Sequence, residues 1–128
     1  MDLSVVIVNW NSGDHLGRLL DSLTPLQEEL RETWVVDNAS RDSSLDGFQS
    51  YPEVRILALT ENLGFAGAAN EAISRCRSSF ILLLNPDIQI IPESVSRLYQ
   101  EMVSRPRAGI VCGSLRDPEG KSQSGFQI

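Results

Sequence analysis

Five apolar residues in a row, Phe80-Ile81-Leu82-Leu83-Leu84, run straight into Asn85-Pro86-Asp87. A short apolar run with turn residues behind it reads as a strand buried on both faces. Pro86 has no N–H to give a sheet ladder, and it biases Asn85 away from helix, so the strand ends here. The chain therefore carries an amide and a carboxylate to the carboxyl end of what reads as a central strand. In open α/β sheets, ligands sit at that edge.

The rest of the chain supplies companions for this strand. Ser4–Val8 is a β-branched run and reads as the first buried strand. The polar loop Asn9 to Gly13 follows. Leu16, Leu19, Leu20 and Leu23 recur at helical spacing, which predicts a helix from about Asp14 to Leu23 with Ser12 as its N-cap. Strands are expected at Glu32–Val36 and Arg55–Leu59, with a short helix or irregular connector over Ser43–Ser50 between them. A helix follows Gly64, with Phe65, Ala69, Ala72, Ile73 and Cys76 on one face. Small residues in its first turns allow close approach to other backbone. Pro92 opens a last helix whose stripe is Val95, Leu98, Tyr99 and Met102, and Pro106 marks its end. Gly109–Cys112 reads as a fifth strand, and Asp117-Pro118-Glu119-Gly120 as a hairpin turn. Strands alternating with helices predict a mostly parallel sheet with helices on both faces. No repeat or linker interrupts the pattern, so one domain is expected over residues 1–128.

The net charge of −6 argues against a non-specific nucleic-acid binder, which carries a basic surface. Cys76 and Cys112 lack metal-type spacing and read as reduced, buried thiols of a cytoplasmic protein. The first residues show no basic, apolar signal pattern, and no apolar run approaches a membrane span.

Three strand-ending loops are rich in Asn and Asp: Asn9-Trp10-Asn11, Asp37 to Asp42, and Asn85-Pro86-Asp87. Each alone reads as turn chemistry, because Asn and Asp are good turn formers. Parallel strands put all three at one sheet edge, with Asn62 to Gly67 as a fourth, and that coincidence favours a site. Asp37 can accept hydrogen bonds from a ribose or base edge. Asp87 can ligate a hard divalent cation, which takes oxygen ligands and bridges phosphates. The helix start at Gly64 can offer N–H groups to an anion, or serve only close packing. No Gly-x-Gly-x-x-Gly follows the first strand, and Gly120-Lys121-Ser122 lacks the upstream glycine of a P-loop. No Gly-x-Ser-x-Gly occurs, and His15, the sole histidine, falls in a helix as a surface residue, which disfavours a Ser-His hydrolase.

At these residues the sequence resembles family 2 glycosyltransferases, and within them the rhamnosyltransferase-like members. The resemblance lies in Val5 to Asn11, Val35 to Asp42, Asn62 to Asn70, and Leu84 to Asp87, in the family's order and over nearly the whole chain. It implies a GT-A fold, a nucleotide-diphosphate sugar donor, Mg²⁺ or Mn²⁺, and a glycan or lipid-linked acceptor. It implies nucleotide binding by Asn9, Asn11, Asp37, Asn38, Asn62, Gly64, Asn70 and Asn85, with Asp87 on the metal. Asn85 departs from the family's two-carboxylate form, so weaker metal affinity is expected. Family members continue past the equivalent of Ile128, so the acceptor site and the carboxylate base of an inverting displacement are expected beyond it, with any peripheral membrane attachment. Asp117 and Glu119 read as turn residues rather than that base. Asp37→Ala is expected to abolish nucleotide binding and leave the thermal transition nearly unchanged. Two rival classes stand beside this one. A non-catalytic nucleotide-binding module or inactive fragment would keep the donor loops alone, and the expected lack of an acceptor region favours it for this chain. A nucleotidyltransferase would show a basic, Gly-rich loop after the first strand, and Asn9 to Gly13 has no Lys or Arg.

Overall fold

The structure is a computed structural model that describes residues 1–123. The chain divides into two compact units, Met1–Pro92 and the residues from Glu93 onward. The first unit holds strands β1 (Leu3–Asn9), β2 (Glu32–Asp37), β3 (Val54–Ala58) and β4 (Phe80–Leu84), and helices α1 (His15–Leu23) and α2 (Gly64–Ile73). All pairings are parallel, and the strand order is β3-β2-β1-β4.

This order corrects one expectation. β4 lies at an edge of the four-stranded sheet, and β1 is the strand buried along its whole length. In β4 only Leu84 is buried, and Leu83 is 40% exposed. An apolar run of five residues states that a strand is apolar; it does not state which neighbours it takes. The expected strand at Gly109–Cys112 is likewise absent, with Ile110 83% exposed and no ladder formed. The Asp117–Gly120 turn does form, closed by Gly120 N–H to Asp117 O and an Arg116–Ser122 antiparallel bridge.

Topology puts α1 and α2 on opposite faces. The chain steps from β1 through α1 to β2 and then β3, and returns through α2 to β4 on the far side of β1. Right-handed crossovers running in opposite directions place their helices on opposite faces. Along β1 the side chains alternate accordingly. Val6 and Val8, with Val36 of β2, pack under Ala68, Ala69 and Ala72 of α2. Alanines let this helix approach the sheet closely. Phe65, expected on that face, is 47% exposed, and Ala68 takes the buried position instead. Val5, Ile7 and Val35 face the other way and are fully buried, as are Leu16, Leu19, Leu20 and Leu23 of α1. Asp14, not Ser12, is the N-cap of α1, although the Ser12 carbonyl accepts the His15 N–H. The β2–β3 connector is irregular apart from one short turn of helix, and the Tyr51 hydroxyl ties it to α1 by donating to Asp21 Oδ1 at 2.7 Å. That carboxylate pushes the phenol up to about 12.

The second unit carries α3 (Pro92–Ser104), which begins at the boundary between the units. Val95 is buried, and Leu98, Tyr99 and Met102 are half-buried on the expected stripe. Cys112 is exposed and Cys76 half-buried, so neither is the deeply buried thiol expected. Among the described residues, no helix is long and apolar enough to cross a membrane.

Candidate functional site

The site is built where β1 and β2 end side by side, Asn9 opposite Asp37. Asn9 is fully buried, and its amide is used up inside the protein. Nδ2 donates to Asp37 Oδ1 at 3.0 Å, Ser44 Oγ at 2.9 Å and Ser40 Oγ at 3.2 Å, while Oδ1 accepts the Ser12 hydroxyl. Asp37 is 6% exposed, and its second oxygen accepts the Ser40 N–H at 3.3 Å. Ala39 makes this turn possible at φ +62°, a conformation that costs a non-glycine residue about 1–2 kcal/mol. Strain of this kind concentrates where a surrounding network over-determines the backbone.

The two loops are then zipped together further out. Asn11 adopts φ +47°, its N–H donates to Ser40 Oγ at 3.0 Å, and its Oδ1 accepts the Arg41 N–H at 2.8 Å. Gly13 N–H donates to Asp42 Oδ2 at 2.8 Å. The Ser44 hydroxyl, with that N–H, holds the Asp42 carboxyl below its ordinary value. Beyond β2, Asn38 reaches across to the loop before α2, where it meets Leu63, Asn62 and Gly64.

Between these loops lies a cavity of about 340 Å³. Val8, Trp10, Asn38, Asn62, Gly64, Phe65 and Pro86 line it. It therefore stands at the carboxyl edge of the sheet, at the switch point between β1 and β4, where open α/β sheets bind ligands. Trp10 is 57% exposed at its rim. A larger cavity of about 450 Å³ lies between α1 and residues 43–46. Its walls carry Asp14, Asp21 and Asp46 against the single Arg18, a lining that repels an anionic ligand.

The structure sorts the expected nucleotide-binding residues into three groups. Asn38, Asn62 and Gly64 line the cavity. Asn9 and Asp37 stand behind it as buried scaffold, and Asn11 belongs to the zipper. Asn70 and Asn85 are exposed and do not line it. Ser40 and Ser44, which bind the Asn9 amide, were outside the expected set, as were the apolar walls Val8, Trp10, Phe65 and Pro86. The signal for Trp10 was present: a large aromatic set between two loop asparagines has no core to enter. Gly64 opens α2 at φ +71°, and an added Cβ would meet nothing within 4 Å. Gly64→Ala is therefore expected to cost backbone strain alone, about 1–2 kcal/mol in a denaturant melt. A melt unchanged from wild type would mean that the loop does not need this conformation.

Asp87 is exposed on the loop whose Pro86 lines the cavity, and it makes no ion pair among the described residues. No group of three or more His, Cys, Asp or Glu side chains is arranged to hold a metal ion there or elsewhere among them. One carboxylate suits a hard cation whose other oxygens arrive with the ligand, and does not suit a preformed metal cage.

A parallel sheet of this order, flanked by helices, matches GT-A glycosyltransferase structures over part of their chains. Staphylococcus aureus TarS in complex with UDP superposes with a TM-score of 0.71 at 26% identity, over 83% of this chain and 33% of that one. The Pyrobaculum calidifontis mannosyltransferase PcManGT, in complex with GDP-Man and Mn²⁺, shares the fold with a TM-score of 0.73 at 18% identity, over 92% of this chain and 36% of that one. The chain belongs to glycosyl transferase family 2, whose pattern residues 4–127 match. It is 33% identical to a Mycobacterium tuberculosis N-acetylglucosaminyl-diphospho-decaprenol L-rhamnosyltransferase, over 92% of this chain and 42% of that protein. A poly(ribitol-phosphate) beta-glucosyltransferase of Bacillus spizizenii is also 33% identical, over 94% of this chain and 20% of that protein. The chain thus spans less than half the length of these two relatives.

Proposed function

We propose that this chain binds the nucleotide-diphosphate sugar of a glycosyltransferase that serves cell-wall or polysaccharide synthesis. The observation that carries the reading is the cavity itself, with Asn38, Asn62 and Gly64 on its walls at the carboxyl edge of the sheet. The donor sugar we favour is rhamnose, on the similarity to the mycobacterial rhamnosyltransferase. The reaction is attack by an acceptor hydroxyl on the anomeric carbon with inversion. The hydroxyl proton goes to a base, and the bond to the nucleoside diphosphate breaks. Neither Asp117 nor Glu119 is assigned as that base: both lie in a turn, and Asp117 Oδ1 is engaged by the Lys121 N–H at 2.8 Å. Titration of the chain with UDP, GDP and dTDP in the presence of Mn²⁺ tests the reading. Saturable binding of at least one is expected, and absence of binding to all three would remove it.

Asp87 is the residue we propose for a divalent cation, which when bound neutralises charge on the diphosphate. Because Asp87 offers one carboxylate and Asn85 only a neutral carbonyl, metal is expected to bind weakly alone and more tightly with nucleotide. Linkage then requires the metal to tighten the nucleotide by the same factor. Mn²⁺ titrations followed by electron paramagnetic resonance, with and without nucleotide, measure this. Coupling that survives in Asp87→Asn would refute the assignment.

A further inference from the structure

Asn38 is only 3% exposed, yet it forms part of the cavity wall. Its side-chain amide is fully engaged, and every partner lies in one loop. Nδ2 donates to Asn62 Oδ1 at 2.9 Å and to Gly64 O at 3.3 Å, while Oδ1 accepts the Leu63 N–H at 2.8 Å. Asn62 Oδ1 also accepts the Gly64 N–H at 2.8 Å. The first N–H groups of a helix have no partner within the helix and must find one outside. Here two asparagines supply it for the residues that open α2.

We propose that Asn38 is a positioning residue for the nucleotide pocket, acting through Asn62 and the Leu63 and Gly64 amides to fix the wall that Gly64 and Phe65 form. This rests on the nucleotide reading above. The position needs a group that donates and accepts at once, and an amide does both. A carboxylate has the same shape and cannot donate. In Asn38→Asp an ionised oxygen faces two acceptors, Asn62 Oδ1 and Gly64 O. Turning the Asn62 amide over would answer the carboxylate but present Nδ2 to the Gly64 N–H. The clamp is broken in either arrangement. Protonating the new carboxyl returns one donor and restores it.

The test titrates UDP, GDP and dTDP into wild type and Asn38→Asp with Mn²⁺ present. At neutral pH the variant is expected to bind about tenfold more weakly, the scale of one or two lost hydrogen bonds. The ratio of the two affinities is expected to narrow as pH falls to about 5, since a carboxyl facing acceptor oxygens is held above its usual range. Asp37 and Glu61, the titratable neighbours in sequence, and the nucleotide phosphate are common to both proteins and cancel in the ratio. Asn62→Ala, a change on an exposed residue, should weaken binding similarly, and combining the two changes should add little, because they break one network. Without any nucleotide, hydrogen exchange at the Leu63 and Gly64 amides should quicken in both variants while β1 and β2 stay protected. Equal affinity of Asn38→Asp and wild type at neutral pH, or unchanged exchange at those two amides, would overturn the proposal. A wild type that binds none of the three nucleotides would overturn the pocket reading instead, and the exchange rates alone then judge the clamp.

Discussion

Asp37→Ala is expected to lose nucleotide binding and also to lower the thermal transition by several degrees. The second half of that result departs from what the strand-end position of Asp37 predicts. A carboxylate waiting for a ligand could be removed with little effect on stability. This one is 6% exposed and accepts the Asn9 amide at 3.0 Å and the Ser40 N–H at 3.3 Å. Alanine leaves the fully buried Asn9 Nδ2 with two serine hydroxyls, and leaves Ser40 N–H without its acceptor. Losing the charge-assisted bond to Asn9 and stranding the half-buried Ser40 N–H costs about 1–3 kcal/mol, so a fall of roughly 5–10 °C is expected by scanning calorimetry. Binding falls with it because Ser40 and Asn9 hold the two loops that carry Trp10 and Asn38. Asp37→Asn separates the roles. It keeps the volume, but it sets an amide against the Asn9 amide unless its oxygen takes that place. If Asp37→Ala melts with wild type, the buried scaffold role is wrong. If it binds nucleotide like wild type, Asp37 serves stability alone.

Much of this fold is legible in the sequence because strands and turns write themselves locally. β-branched runs ended by Asn and Asp mark where β1 and β2 stop, and observed bounds differ from expected ones by one residue. What does not write itself locally is neighbourhood. The order β3-β2-β1-β4 depends on crossover direction, so the run Phe80–Leu84 looks central and lies at an edge. The tetrad Gly109–Cys112 looks like a strand, but a strand exists only with a ladder partner. The site divides in the same way. Which loops meet follows from parallel strands, and the cavity stands where they meet. Which side chain of each loop faces a ligand depends on hydrogen bonds between loops about thirty residues apart. Asn9 and Asp37 satisfy each other across that gap, and nothing in either loop alone foretells it.

Glu32 is the clearest case of a residue whose role only the fold reveals, and its removal should destabilise the protein most. In the sequence it merely begins a strand. In the structure its side chain is 5% exposed at the amino edge of the sheet, away from the candidate site. Oε1 accepts the Arg77 N–H at 2.7 Å and the Ser4 hydroxyl at 3.0 Å, and Oε2 meets Arg55 Nη1 at 3.1 Å. One carboxylate thus joins β1, β2, β3 and the chain entering β4. Arg55 is half-exposed and also lies over the Trp34 ring, 5.3 Å from its centroid, so it keeps favourable surroundings without Glu32. The cost of Glu32→Ala therefore comes mainly from the abandoned Arg77 N–H and from the lost charge-assisted bond of the Ser4 hydroxyl, which is left with Ser78 Oγ at 2.6 Å, about 3 kcal/mol in all. That corresponds to a fall of roughly 10 °C in the melting temperature. Glu32→Gln keeps an acceptor in place and should cost far less at neutral pH. Burial opposes ionisation of Glu32, but the Arg77 N–H, the Ser4 hydroxyl and Arg55 outweigh it and hold the carboxyl below its ordinary value of 4.5. Its ionised form therefore contributes in full above that value, and the contribution is lost as pH falls through the lower, folded-state value. Urea melts from neutral pH down to about pH 3 should show wild type and Glu32→Gln converging toward the acid end. Parallel stability curves across that window would mean that the charge of Glu32 contributes nothing, and a Glu32→Ala protein as stable as wild type would mean that the four-element junction does not hold the sheet.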